Sequence, residues 1–386
     1  MIMLKVATGA SEESDTVEAV EEALEIALEG MNGVKPKAGL AFVGIDVDID
    51  TLVKAFVNAL PGVELAGCTT DGEVAGPEGF LEDSVVITLF GSDDIDFTVG
   101  IGHGATADPR AATATAVADA KSKTEKASAF CVALPEGIGP DISEIVGGLR
   151  AALGEDFPIV GGASGDQLRF RGTRQFCNTD VTSDSVVVLI MSGPLVYSCG
   201  MSTGYTALGN RHKVTKAAGS TIHEIDGKPA IQLYKDYIQG QSVHFLLAVH
   251  SPEREGFLLS SPQAFDEESG AITFVNPIGM DEEVQLATAS RDEIVAAART
   301  AVESAFEGFT NDKPDAALFF SCAGRRAALG TRTKEEYESF EAIIGDAFPT
   351  AGFYTYGEIG PAGHQGKALQ HTNAFLAVLL GSAPQA

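Results

Sequence analysis

Apolar positions along the chain fall into a pattern that recurs. Val17, Val20, Leu24 and Leu28 repeat at three- and four-residue spacing, which predicts an amphipathic helix from about Glu12 to Leu28. An apolar run at 39–45 then reads as a strand, and Asp50 is placed to cap a second helix with Leu52, Val53, Phe56, Val57 and Leu60 on its inner face. Pro61-Gly62 ends that helix, a short strand follows at 63–66, and the polar turn Gly67-Cys68-Thr69-Thr70-Asp71-Gly72-Glu73 leads to a strand at 84–90.

The same order returns twice. Asp108 and Pro109 open a helix as N-cap and first helical position. A strand is expected at 130–134, a helix at 141–153, the turn Gly161-Gly162-Ala163-Ser164-Gly165-Asp166 after Phe157-Pro158, and a strand at 185–191. Farther on, Ser290 and Glu293 form a capping box before Ile294, Ala298, Val302 and Phe306. A strand at 316–320, a helix boxed by Thr333 and Glu336, the turn Gly352-Phe353-Tyr354-Thr355-Tyr356-Gly357-Glu358, and a strand at 374–380 complete the third occurrence. Helices with one apolar face beside strands that need cover predict a mixed α/β fold of internally duplicated sheets covered by helices. The strand-rich middle, 195–288, with an apolar strand at 243–249, is a candidate for a degenerate fourth unit. The two halves are taken as 1–200 and 201–386.

Charge changes the picture of partners. Lys plus Arg number 26 against 54 Asp plus Glu, a formal net charge of -28, so phosphate backbones and anionic membranes are repelled and no nucleic acid partner is expected. No apolar run reaches membrane-spanning length and no signal-peptide pattern opens the chain, which predicts no membrane insertion. Five scattered cysteines (Cys68, Cys131, Cys177, Cys199, Cys322) form no disulfide framework, and a cytoplasmic setting is expected.

The turns resemble those of the FIST family, which pairs an N-terminal with a C-terminal FIST region. The N-terminal resemblance rests on Leu65 to Gly72 and on Val160 to Asp166. The C-terminal one rests on Ile225-Asp226-Gly227-Lys228-Pro229-Ala230, Cys322-Ala323-Gly324-Arg325 and Gly352 to Ile359. The resemblance implies a signal-input protein that senses a small ligand, with amino acids proposed, often fused to or encoded beside histidine kinases or other signalling proteins. Some members bind haem and sense nitric oxide. This chain ends at Ala386, directly after its last strand, so it is expected to act as a stand-alone sensor that signals through a separate partner.

Gly-rich turns at strand ends suit small-ligand sites, because exposed N–H groups and small side chains allow close approach. Cys68, Thr69, Thr70, Glu73, Ser164 and Asp166 are candidates there. The shared Thr-x-Gly-Glu of the first and third turns places Glu73 and Glu358 at equivalent points. Arg325, beside Cys322 at a strand end, is suited to a ligand carboxylate and preferred over Arg326. Tyr354 and Tyr356 share a face, and Arg211 lies in a basic stretch. Each has a plainer reading as turn former, core residue or surface ion pair. Alternatives are a haem sensor with His103, His212 or His371 as axial ligand, a cysteine-dependent enzyme using Cys68 or Cys322, and a scaffold that binds nothing small. The Gly162–Asp166 stretch departs from a nucleophile elbow, since Asp166 replaces its final glycine, and Gly100–Gly104 is not a dinucleotide fingerprint. The dispersed histidines, His364/His371 and His244/His250 included, offer no zinc spacing, so no metal is expected.

Overall fold

The computed structural model describes residues 4–238, 245–251, 256–280, 282–345 and 347–383. The described chain divides into two compact units: residues 1–203, 295–370 and 374–386 form the larger, and 204–294 with 371–373 the smaller. The division at 200/201 is one of sequence; in space the larger unit takes both ends of the chain.

The larger unit is one supersecondary element used three times. The first repeat runs β1 (Lys5–Ser11), α1 (Thr16–Gly30), β2 (Ala38–Val43), α2 (Ile49–Ala59), β3 (Glu64–Thr69), the hairpin β4 (Glu73–Ala75) and β5 (Gly79–Leu81), and β6 (Val85–Gly91). The second runs β7 (Asp96–His103), α3 (Pro109–Lys121), β8 (Ser128–Pro135), α4 (Ile142–Leu153), β9 (Ile159–Gly162), β10 (Gln175–Cys177), β11 (Asp180–Thr182) and β12 (Ser185–Ser192). The third opens with β13 (Leu195–Ser202).

The smaller unit interrupts the third repeat, with β14 (Thr206–Ala218), β15 (Thr221–Ile225), β16 (Lys228–Pro229), α5 (Ile231–Ile238), β17 (Leu246–His250), β18 (Leu258–Ser260), β19 (Pro262–Phe265), β20 (Ile272–Phe274) and β21 (Glu283–Thr288). The repeat then resumes with α6 (Arg291–Gly308), β22 (Ala316–Cys322), the short α7 (Ala323–Leu329), α8 (Lys334–Ile344), β23 (Thr350–Thr355), β24 (Glu358–Pro361), β25 (Ala368–His371) and β26 (Phe375–Ser382).

Each repeat builds a six-stranded sheet, and each lends its hairpin to another repeat's sheet. The orders are β1-β6-β2-β3-β10-β11, β7-β12-β8-β9-β24-β25 and β13-β26-β22-β23-β4-β5. Thus β10 pairs with β3, β24 with β9 and β4 with β23, a cyclic exchange that ties the three repeats together. The three sheets share one core, to which Phe42, Phe90, Phe130, Leu189, Phe320 and Phe353 contribute. Alternate residues of the same strands face helices instead: Val186, Val188 and Ile190 of β12 pack with α3 and α4 residues, while Val187, Leu189 and Met191 face the shared core. Burial on both faces explains why these strands read as unbroken apolar runs.

Several details differ from the sequence reading. Each repeat begins with a strand that the apolar pattern did not reveal. In β1, β7 and β13 the glycines Gly9, Gly100 and Gly200 lie against helix backbone: a Cβ on them would stand 2.1, 2.1 and 1.9 Å from the carbonyl oxygens of Ala23, Ala116 and Ala301. Helix α1 starts at Thr16 with Asp15 as its cap, later than the expected start at about Glu12, and Asp48, not Asp50, caps α2 by accepting from the Thr51 N–H at 3.2 Å. The Ser290–Glu293 box is present, with Glu293 N–H donating to Ser290 Oγ at 3.2 Å and Ser290 N–H to Glu293 Oε2 at 2.7 Å. The Thr333–Glu336 box is not. Thr333 Oγ1 donates to the Gly330 carbonyl at 2.7 Å, because Glu336 is turned into the core. The middle region is no fourth copy: its strand pairings are antiparallel and enclose a separate core around Val214, Tyr234 and Phe274. The apolar strand there begins at Leu246; residues 243 and 244 lie outside the described residues.

Candidate functional site

The three Gly-rich turns follow β3, β9 and β23, and the exchanged hairpins bring them together. Asp71 N–H donates to Tyr354 O at 2.9 Å, Gly165 N–H to Thr69 O at 2.9 Å, and Tyr356 N–H to Ala163 O at 3.1 Å. A second set runs alongside: Tyr354 N–H to Gly72 O (2.8 Å), Ala163 N–H to Gly357 O (3.0 Å) and Thr69 N–H to Arg174 O (2.9 Å). Six bonds close a ring in which Thr70, Ser164 and Thr355 hold equivalent places.

Beside the ring stand Glu73, Gln175 and Glu358. Glu73 Oε2 accepts from Ser84 N–H (3.2 Å) and Oγ (2.7 Å), and Gln175 Oε1 accepts from Ser185 N–H (3.3 Å) and Oγ (3.1 Å). Glu358 Oε2 accepts from Ala374 N–H at 3.0 Å. Each caps the start of its repeat's last strand, where the preceding residue (Asp83, Asp184, Asn373) has φ between 54 and 58°. Glu73 and Glu358 are therefore equivalent, as their shared motif implied, and Gln175 is the third member that sequence reasoning missed. All three are buried. Burial pushes the Glu73 carboxyl up to about 7, against hydrogen bonds from Thr70 and Ser84, and the Glu358 carboxyl to about 8, against the Ala374 N–H and the Arg325 charge.

Other predicted residues are occupied within the fold. Arg325 is fully buried; its Nε donates to Glu336 Oε1 at 2.8 Å and its Nη1 to the Thr203 carbonyl at 2.8 Å. Tyr354 donates its hydroxyl to Glu336 Oε2 at 2.9 Å. Cys322 is the buried residue that precedes α7. Cys68 faces the shared core, and burial raises its thiol far above the ordinary range despite a hydrogen bond with Ser164. Arg211 belongs to the smaller unit and pairs with Glu283 at 3.3 Å. Of the candidate haem ligands, His103 Nε2 lies 3.0 Å from Asp180, His212 Nδ1 lies 2.8 Å from Asp226, and His371 is buried. Among the described residues, no group of three or more His, Cys, Asp or Glu could hold a metal ion, and no helix is long and apolar enough to cross a membrane.

The open feature lies next to the ring. The second turn carries an insertion, 166–173, in which Gln167, Leu168 and Phe170 all have φ near +50 to +57°, a left-handed conformation that non-glycine residues rarely adopt. Asp166 holds it, accepting from the N–H groups of Phe170 (2.9 Å), Arg171 (2.7 Å) and Gly172 (3.2 Å) and from the Tyr356 hydroxyl (2.5 Å). Burial works against ionisation of Asp166, but these donors outweigh it and its carboxyl sits below the ordinary value. Tyr356 also accepts from Leu168 N–H at 2.7 Å and stacks against the ring of Phe170, a residue that is 61% exposed. Arg169 reaches both carboxylate oxygens of Asp46 at 2.5 and 2.6 Å.

Between this loop, the β5 hairpin and α7 is a cleft of about 480 Å³. Gln167 and Leu168 line one wall, Phe80 and Glu82 another, and Arg326, Thr331, Thr333 and Lys334 the rest. Arg326 lies over the Phe80 ring at 5.5 Å, pairs with Glu82, and reaches Asp71 Oδ2 at 3.2 Å. Asp71 is buried; burial lifts its carboxyl to about 6, with the Arg326 charge opposing. Residue 325 thus serves the core and residue 326 the cleft.

Comparison with known proteins agrees with the turns. The FIST N domain model matches residues 37–228 and the FIST C domain model residues 230–361. An uncharacterised protein of Mycobacterium tuberculosis is 26% identical over 405 aligned positions, covering 98% of this chain and all of that protein. An uncharacterised protein of Methanocaldococcus jannaschii is 25% identical over 230 positions, covering 57% of this chain and 44% of that one. Among solved structures, cyanuric acid hydrolase from A. caulinodans aligns over the whole of both chains at 11% identity and a TM-score of 0.40. With both of its domain models matched in order, the chain belongs to the FIST family, a family associated with signalling and small-ligand sensing.

Proposed function

We propose that this chain is a signal-input protein that binds a small zwitterion or carboxylate in the cleft beneath the 166–173 loop and signals through a separate protein partner. The observation that carries this reading is the cleft itself. Its volume falls in the range of small-molecule sites, and Arg326, Lys334, Glu82, Thr331 and Thr333 are among the residues that line it. Lys334 suits a ligand carboxylate, and a ligand that parts the Arg326–Glu82 pair meets a second cation for its carboxylate and Glu82 for an ammonium, which is the pattern of an amino acid. The loop holds three non-glycine residues at left-handed φ, so a ligand that contacts Gln167 and Leu168 acts directly on its arrangement and on Phe170 beside it.

The test is a thermal-shift and calorimetric screen of the full chain with the amino acids and small dicarboxylates. A ligand present at a hundred times its Kd stabilises the native state by about 2.7 kcal/mol. The diagnostic variants are Lys334→Glu and Glu82→Gln, since Arg326→Ala would leave Asp71 buried beside no cation. A hit abolished by both variants supports the reading. No hit at millimolar concentration, or a hit that both variants leave intact, overturns it. A visible haem band in the same preparation would move the reading to a haem sensor, and turnover lost in Cys68→Ala or Cys322→Ala would move it to an enzyme.

A further inference from the structure

The repeats are equivalent in fold, so a place where one repeat departs from another is informative. In the second repeat, α3 and α4 meet through Gly147 and Gly148: a Cβ on Gly148 would stand 3.0 Å from Thr113 Cβ, and one on Gly147 3.0 Å from Arg110 Nη2. The N-caps Asp48 and Asp141, and Asp15 and Asp108, set the correspondence between repeats. Counted from these caps, the first repeat has Lys54 and Ala55 where the second has Gly147 and Gly148. It has Val17, Val20 and Leu28 where the second has Arg110, Thr113 and Lys121.

The result is a groove of about 870 Å³ between α1 and α2. Val17, Val20, Leu24 and Leu28 form one wall, and Ala55 and Ala59 face them. Val17 and Leu28 are 40% and 37% exposed, at positions that carry a cation in the second repeat. Along the rim stand Glu21, Glu25 and Glu29, one turn apart, against the single cation Lys54. From Val17 to Leu28 the groove runs three helical turns, about 16 Å.

We propose that this groove is the docking site for a basic amphipathic helix of a partner protein. The apolar wall takes an i, i+3/i+4, i+7 stripe of such a helix. The glutamate ridge selects lysine or arginine on its flank. A second copy of this chain fits poorly, because the net charge of -28 and the same glutamate ridge would repel it. The proposal is independent of what occupies the cleft.

The probe is a fluorescein-labelled 14-residue helical peptide with a leucine stripe flanked by lysines, titrated with the full chain by anisotropy. Its controls are a peptide of the same composition in scrambled order and one with glutamate for lysine. The amphipathic lysine peptide is expected to bind at least tenfold tighter than either control. Binding should weaken at least tenfold in Val17→Ser/Leu28→Ser, which changes no charge, and stay unchanged in Met280→Ser, an exposed apolar position elsewhere. Should the serine variant unfold, Glu21→Lys/Glu25→Lys leaves the apolar wall intact and should reverse the preference toward the glutamate peptide. Equal binding of the scrambled peptide, indifference to these variants, or a self-dimer that Val17→Ser/Leu28→Ser dissociates in sedimentation would each overturn the proposal.

Discussion

Replacing Glu73 by glutamine tests whether the repeated acidic turn serves the fold or a ligand. Gln175 already holds the equivalent place in the second repeat, where its Nε2 donates to Ser164 Oγ at 3.0 Å and its Oε1 accepts from Ser185. A glutamine at 73 reproduces those bonds, donating to Thr70 and accepting from Ser84. The gain comes from charge. The Glu73 carboxyl titrates near 7 in the fold against an ordinary 4.5, because burial penalises its ionised form. Between those values the native state holds a proton that the unfolded chain has released, so stability falls as pH rises from about 4.5 to 7 and stays lower above it. That difference corresponds to about 3 kcal/mol. Glu73→Gln should therefore match the natural protein at pH 4.5 and exceed it by about 2–3 kcal/mol at pH 8. Denaturant unfolding of the two proteins at several pH values measures this. The titrations of Glu358 and Asp71 are common to both and cancel in the difference. A variant less stable than the natural protein at pH 8, or a gap that does not change with pH, would refute the reasoning. If Glu73 contacts the ligand directly, the same variant also loses the ligand-induced thermal shift.

Two further outcomes follow from burial and close approach. Glu336→Ala removes from the core the carboxylate that accepts from Arg325 and from Tyr354 and should cost about 3–5 kcal/mol, read as a lower denaturant midpoint; Glu336→Gln, which keeps an acceptor, should cost less. Gly100→Ala would place a methyl 2.1 Å from the Ala116 carbonyl and should destabilise by about 1–3 kcal/mol in the same assay, whereas Gly363→Ala, facing open space, should be neutral.

The periodic apolar pattern reveals the helices and central strands because each has at least one face committed to a core. It fails at β1, β7 and β13 for a specific reason: these strands receive a helix backbone at a glycine, and that glycine interrupts the apolar run. The signal is in the partner helix. Ala23/Ala27, Ala116/Ala120 and Ala301/Ala305 recur four residues apart, each pair against one of those glycines. Asp50 and Thr333 mislead because polar residues near a helix start are plentiful in so acidic a chain, and only geometry selects Asp48 as the cap. Arg325 and Arg326 are adjacent in sequence but on a helix their directions differ by about 100°. Their order in the chain gives no means to assign one to the core and the other to the cleft.

The repeated turns were legible in the sequence, and the structure adds what each copy bonds to. Repetition drew attention to Thr70 and Glu73, and to Thr355 and Glu358. In the structure the repeated positions carry the work of closing the ring: the same bonds recur three times, with glutamine substituting once for glutamate. A role shared by three turns is a role in holding three repeats together. Two places stand out where one repeat departs from another. The insertion 166–173 appears in one turn only, lengthens it enough to hide Gln175 from the Thr-x-Gly-Glu motif, and walls the cleft beside Arg326. The α1–α2 pair keeps Lys54 and Ala55 where its counterpart closes on Gly147 and Gly148. Repetition in this chain marks bonds that hold the repeats together; the departures from it supply the cleft and groove proposed above, and the ligand-induced shift of Glu73→Gln decides whether the turns themselves also bind.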